Sequence, residues 1–243
     1  MTAIRLFIGG LTRIDNAGQS TGIYKHPAAG PILLGPAGLA GDVQADRRVH
    51  GGPEKAVHHY AAENHARLAG RFPAIAGQLI PGSIGENVST TGWDERSVFI
   101  GDVFGIGHAR VQVSQPRSPC WKIDERYATG GMARFIAETG LTGWYYRVLV
   151  AATVANGAQF EHLERLPRAV SLAELWQIWT AHRPEPAALA RIAEAPGLTP
   201  GWRKKLLERR DWLRANAGSA NSVNSANSPK PAFHAKPDSS SPT

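Results

Sequence analysis

Over the first 160 residues, apolar and polar positions alternate over short distances, as they do in strands. Residues 4–8, 97–100, 109–114 and 146–154 are rich in β-branched and aromatic side chains. The run Arg110-Val111-Gln112-Val113-Ser114-Gln115 alternates polar and apolar, the pattern of a strand with one wet face. Gly101-Asp102, Gly105, Gly107 and Asn156-Gly157 mark turns between these runs. Helical spacing interrupts the pattern at 61–72 and at 132–138, the second closed by Gly140. Many short strands with irregular helical excursions predict a mainly β domain with helices (α+β), either a β-barrel or a distorted sandwich.

From Pro167 the texture changes. Ser171-Leu172-Ala173-Glu174 is a capping box, followed by an apolar stripe of Leu172, Leu175, Trp176 and Trp179. Pro186 opens a second helix running to 195, and Thr199-Pro200 offers an N-cap and first-turn proline for a third, running to about Ala215. The pattern divides the chain into a β domain over 1–166, a three-helix domain over 167–215 and a disordered tail rich in Ser, Asn and Pro over 216–243.

The formal net charge of +7 suits an anionic ligand. The segment 202–214 holds six basic and two acidic residues. Its helix-turn-helix outline raises a nucleic-acid reading, which is disfavoured because such charge runs are usually solvated faces. The longest apolar run, near 148–155, is far short of a membrane span, and the N-terminus reads as a strand and turn, not a signal peptide. A single cysteine excludes a disulfide-built fold and fits a reducing, cytoplasmic setting.

That cysteine lies in Gln115-Pro116-Arg117-Ser118-Pro119-Cys120-Trp121-Lys122. Pro116 and Pro119 stiffen the loop, while Arg117 and Lys122 place positive charge near the sulfur and favour thiolate over thiol. Such a loop suits an electrophile, a soft metal or an anionic cofactor, and equally a small buried hydrophobe in a turn. A second dense segment, 46–60, gathers His50, His58 and His59 with cations and Glu54 around Gly51-Gly52-Pro53, a turn able to bring backbone N–H groups to an anion. A third, Gly85-Glu86-Asn87, is a tight turn whose Asn87 amide either completes the loop or reaches a ligand. The chain shows no GxGxxG, GxxxxGK or HExxH spacing.

Gly38 to Asp46, His50-Gly51-Gly52-Pro53, Gly85-Glu86-Asn87, Ile100-Gly101-Asp102 and Gln115 to Cys120 occur in the order seen in MOSC-domain proteins of the YiiM type, and the chain resembles that family over about 5–215. These proteins are described as molybdenum-cofactor-dependent reductases that confer resistance to hydroxylaminopurine. The resemblance implies a MOSC-type β-barrel with a three-helix extension, binding of the molybdenum cofactor (molybdopterin), and Cys120 as the molybdenum ligand. It further implies His50, Gly51, Gly52, Asn87, Arg117, Ser118 and Lys122 around the pterin and its phosphate. Lys25, Glu54 and His59 are the expected proton-handling and substrate-positioning group, with Glu54 orienting His59 or pairing with Lys25. The implied substrate is an N-hydroxylated purine or related base, the implied electron source an external donor protein, and a homodimer is compatible with the sequence. The alternative within the family is a sulfur or cofactor carrier that uses Cys120 as a persulfide or cofactor anchor.

Overall fold

The computed structural model describes residues 2–14, 18–46 and 50–216. Arg47, Arg48 and Val49 of the second dense segment, and all of the expected tail beyond Asn216, lie outside the described residues.

The strands are β1 (Thr2–Ala3), β2 (Arg5–Ile8), β3 (Thr12–Arg13), β4 (Ser20–Thr21), β5 (His26–Pro27), β6 (Ile32–Gly35), β7 (Gly38–Leu39), β8 (Val57–Ala61), β9 (Val88–Thr90), β10 (Val103–Ile106), β11 (Ala109–Pro116), β12 (Trp144–Val150), β13 (Ala152–Val154) and β14 (Gln159–Glu164). The helices are α1 (Ala62–Arg71), α2 (Lys122–Tyr127), α3 (Met132–Thr139), α4 (Leu172–Thr180), α5 (Pro186–Ala193) and α6 (Pro200–Ala215). The principal sheet runs β1-β14-β10-β11-β12-β8-β9-β2-β5. Its first strand and its last but one are consecutive pieces of the same chain segment, broken only at Ile4, so the ladder returns to its start. Ile4 itself exchanges backbone bonds with 157–158: its N–H reaches the Ala158 carbonyl at 3.1 Å, and its carbonyl accepts from Gly157 at 2.9 Å. The sheet thereby curls back on itself in the manner of the barrel that the resemblance implied, with β5, paired to β2 alone, left at its end.

Local chemistry explains most elements. Ile106 pairs with Ala109 across Gly107-His108, and Gly107 has φ 56°, the left-handed conformation a two-residue hairpin requires. The α4 N-cap forms as expected, Ser171 Oγ accepting from the Glu174 N–H at 3.1 Å. Residues 97–100 correct the sequence reading: instead of a strand they form a turn with one bridge, Phe99 to Ser171. Flanking carboxylates capture the backbone donors, Asp94 taking Arg96 and Ser97 N–H and Asp102 taking Phe99 N–H at 2.9 Å. The expected strand 146–154 is two strands, β12 and β13, separated at Ala151.

The helical region does not stand apart. One apolar cluster includes Phe104, Val111, Val113 and Trp144 of the barrel together with Leu172, Trp176, Ile192, Trp202 and Leu206 of α4–α6. Of the basic residues of α6, one is buried and three others have partners within the fold. Arg209 is buried, and its guanidinium donates to the carbonyls of Trp179 and Ala181, closing the C-terminal end of α4. Arg203 donates to the Ala193 carbonyl, Lys204 lies 3.8 Å from Glu208, and Arg210 pairs with Asp211.

Candidate functional site

β8 is the floor of the site. It lies between β12, antiparallel, and β9, parallel, and all five of its residues are buried. Burial on both faces erases the alternation that would mark it in the sequence. Its two adjacent histidines point to opposite faces. The His59 ring enters the barrel core, 4.3 Å from the Trp144 ring, with Nδ1 2.9 Å from Tyr146 Oη and Nε2 3.0 Å from Thr90 Oγ1. Burial holds its pKa down at about 3. The His58 ring faces a cleft, 5.4 Å from the Tyr145 ring. Burial, then the neighbouring Arg117 cation, keep His58 well below the ordinary histidine range, so it is neutral at pH 7.

The cleft encloses about 600 Å³ including its open mouth. One wall is the loop that follows β11. Pro116 is the last residue of the ladder, paired with Trp144, and the chain then leaves the sheet through Arg117. Cys120, 5% exposed and free, faces the cleft just before α2 begins. Arg117 is 4% exposed and lines the same cleft; its backbone N–H donates to Gly143 and its side chain bonds Tyr145. Its Nη1 is buried and has no hydrogen-bond partner among the described residues. Buried guanidinium donors are rarely left unpaired, and this one borders the cleft. Lys122 also lines the cleft, its Nζ donating to the Ser20 carbonyl at 2.7 Å.

The opposite wall carries Lys25, Asp42, Lys55, His50 and Gly51. Lys25 and Asp42 form a buried ion pair, and Asp42 also accepts from Gly9 N–H and Asn87 Nδ2, each at 2.9 Å. Lys55 has its pKa lowered by burial and by Lys205 of α6. Among the described lining residues four cations, Lys25, Lys55, Arg117 and Lys122, face one carboxylate, Asp42. The cleft is therefore an electropositive pocket with one thiol.

Several expectations change. Lys25, Glu54 and His59 do not assemble: Lys25 belongs to Asp42, Glu54 pairs with Arg147 and is absent from the cleft lining, and His59 is in the core. Gly52 and Ser118 also fall outside the lining, whereas His50 and Gly51 are in it. The Asn87 amide completes its loop: Oδ1 accepts from His58 N–H at 3.1 Å, and Nδ2 donates to Phe7 O and Asp42. It borders the cleft with its polar atoms already committed. Sequence reasoning missed Asp42, Lys55, His58 and Tyr145 as cleft residues; for Asp42 the signal was its place in the Gly41-Asp42-Val43 turn. Among the described residues no three His, Cys, Asp or Glu side chains gather as a metal-ligating set, which leaves Cys120 as the soft donor here.

An α+β fold built on one large sheet carries an electropositive cleft with one cysteine, and comparison with known proteins makes the class specific. Residues 46–161 match the MOSC domain, and residues 170–211 match the YiiM-like, 3-alpha helix domain. The chain is 36% identical to protein YiiM of Escherichia coli K12 over 79% of its own length and 86% of that protein's. It is 37% identical to the uncharacterized protein YflK of Bacillus subtilis 168, over 82% of its length and 89% of that protein's. A protein named reductase from Gibberella moniliformis is 33% identical over 60% of this chain, which spans 26% of that longer protein. The crystal structure of YiiM from E. coli superposes with a TM-score of 0.73 at 30% identity, covering 87% of this chain and 92% of that one. The crystal structure of YiiM from Geobacillus stearothermophilus gives 0.72 at 30% identity, covering 86% and 99%. The chain belongs to the YiiM-type MOSC family.

Proposed function

We propose that this protein is a molybdenum-cofactor-dependent reductase of N-hydroxylated purines and related bases, converting 6-hydroxylaminopurine to adenine. The observation that carries this reading is that Cys120 shares one electropositive cleft with a buried Arg117 Nη1 that has no partner among the described residues. The donor set fits the cofactor: a soft thiolate for molybdenum, and guanidinium and ammonium groups for the pterin phosphate. When bound, the cofactor supplies the electrons.

The residues of the chain have separate tasks in this reading. Cys120 ligates the metal; Arg117, Lys122 and Lys55 hold the anionic part of the cofactor. The reaction breaks the N–O bond, consumes two electrons and two protons, and releases water. Lys25 is the proton donor, because it alone of the predicted trio lines the cleft, and Asp42 holds its ammonium in place. The Tyr145 hydroxyl, its pKa raised by burial, stays protonated on the wall beside Arg117. In this reading an external donor supplies the electrons to the cofactor.

The test is to purify the protein from a host that makes molybdenum cofactor, measure molybdenum and pterin, and follow 6-hydroxylaminopurine to adenine with a reductant. Parent protein is expected to carry about one molybdenum per chain and to turn over, and Cys120→Ala to lose both. Full metal content and activity in Cys120→Ala would refute the assignment. Labile sulfur on Cys120 without metal would favour the carrier alternative.

A further inference from the structure

The three-helix region meets the site at one turn. Gly197, with φ 84°, packs against Gly101, with φ 85°. A Cβ on Gly197 would sit 2.6 Å from Gly101 Cα, and one on Gly101 would sit 2.4 Å from the Pro196 carbonyl. Only two glycines permit that approach, which gives Ile100-Gly101-Asp102 a structural meaning. The turn continues into Thr199, 3% exposed. Thr199 Oγ1 caps α6 by accepting from Trp202 N–H at 3.3 Å, and donates to Gln115 Oε1 at 3.1 Å in a buried bond. Its backbone N–H meets the Ser114 carbonyl at 3.3 Å.

Ser114 and Gln115 are the residues from which the Cys120 loop springs. The opposite wall is tied to the same turn. Arg147 Nη2 donates to the Gly197 carbonyl at 2.8 Å, and the same guanidinium holds Glu54 next to Lys55. Ser114 Oγ closes the circuit at 2.6 Å from the Glu54 carbonyl.

We infer that Thr199 and Gln115 are positioning residues, through which the helical domain fixes the Cys120 loop against the Lys55 wall. The three-helix extension is thus a brace for the cleft. The importance of this geometry rests on the proposed role of Cys120, but the contact itself is testable without cofactor.

The test is the rate at which iodoacetamide alkylates Cys120 in the folded, cofactor-free chain, beside stability from urea unfolding. Gln115→Met and Thr199→Val each remove the buried bond; both are expected to label roughly 10-fold faster, the factor that one lost hydrogen bond allows for local opening. Thr199→Ser keeps hydroxyl and cap and is expected to label within about two-fold of the parent. Arg203→Met loses a bond to Ala193 within the helical region and leaves β11 untouched, so it loses stability without faster labelling. Parent-like labelling in Gln115→Met and Thr199→Val, or equal acceleration in Arg203→Met, would overturn the inference. Loss of the reductase reading would show instead as molybdenum retained by Cys120→Ala, a result independent of these rates.

Discussion

Acidification should separate His59 from the chemistry of the cleft. Its imidazole is fully buried and held at about 3 by loss of solvation, against 6.5 for the free group. A histidine whose folded pKa is depressed is neutral in the native state while the unfolded chain binds a proton, so stability falls as pH drops from 6.5 towards 3. The slope is about 1.4 kcal/mol per pH unit; His59 alone should remove about 2 kcal/mol between pH 7 and pH 5, and about 4 kcal/mol by pH 3. His59→Gln cannot titrate. It loses part of the pairing with Tyr146 and Thr90 and should be less stable at pH 7, but its stability should decline less steeply between pH 6.5 and 5. Urea unfolding of parent and variant across pH 5–7.5 measures the difference, which isolates His59 from His58, whose depressed pKa acts in the same direction in both proteins. Parallel curves, or a His59 ring that titrates near 6.5 by NMR, would show that the ring is solvated and return it to the candidate catalytic groups.

Three further outcomes follow from the buried charges. Lys25→Met strands the Asp42 carboxylate, whose side chain is 2% exposed, and should cost roughly 3–5 kcal/mol in urea unfolding, with Lys25→Met/Asp42→Asn recovering a substantial part. Arg117→Met removes a buried cation that has no carboxylate partner among the described residues; stability should hold or rise while molybdenum and pterin content falls to background. The Glu95 carboxyl is pushed up by burial, against hydrogen bonds from Gly143 and Asn64 that lower it, so its contribution to stability is complete below pH 4.5 and is lost as pH rises through the folded value. Glu95→Gln should flatten that alkaline decline; an unchanged profile from pH 4.5 to 8 would contradict the assignment.

What the sequence disclosed about the site follows from the range over which each feature is determined. The Cys120 loop was legible because its character is local: two prolines set its stiffness, and Arg117 and Lys122 lie within three residues of the sulfur. Capping at Ser171 and Thr199 was legible for the same reason. The grouping of Lys25, Glu54 and His59 failed because each partner is distant in the chain: Lys25 finds Asp42, Glu54 finds Arg147, and His59 finds Tyr146. Nothing near Glu54 signals that an arginine 93 residues later will claim it. The exchange of His58 for His59 has another cause. In a half-buried strand, alternation would show which histidine faces solvent; β8 is buried throughout, so its neighbours β12 and β9 decide which ring meets the cleft. A sequence reading could therefore locate the chemistry at 50–60 and 115–122 but could not choose the face. That choice required the sheet to curl back on itself, because the inside of β8 is defined only once β1 and β2 have brought distant parts of the sheet together.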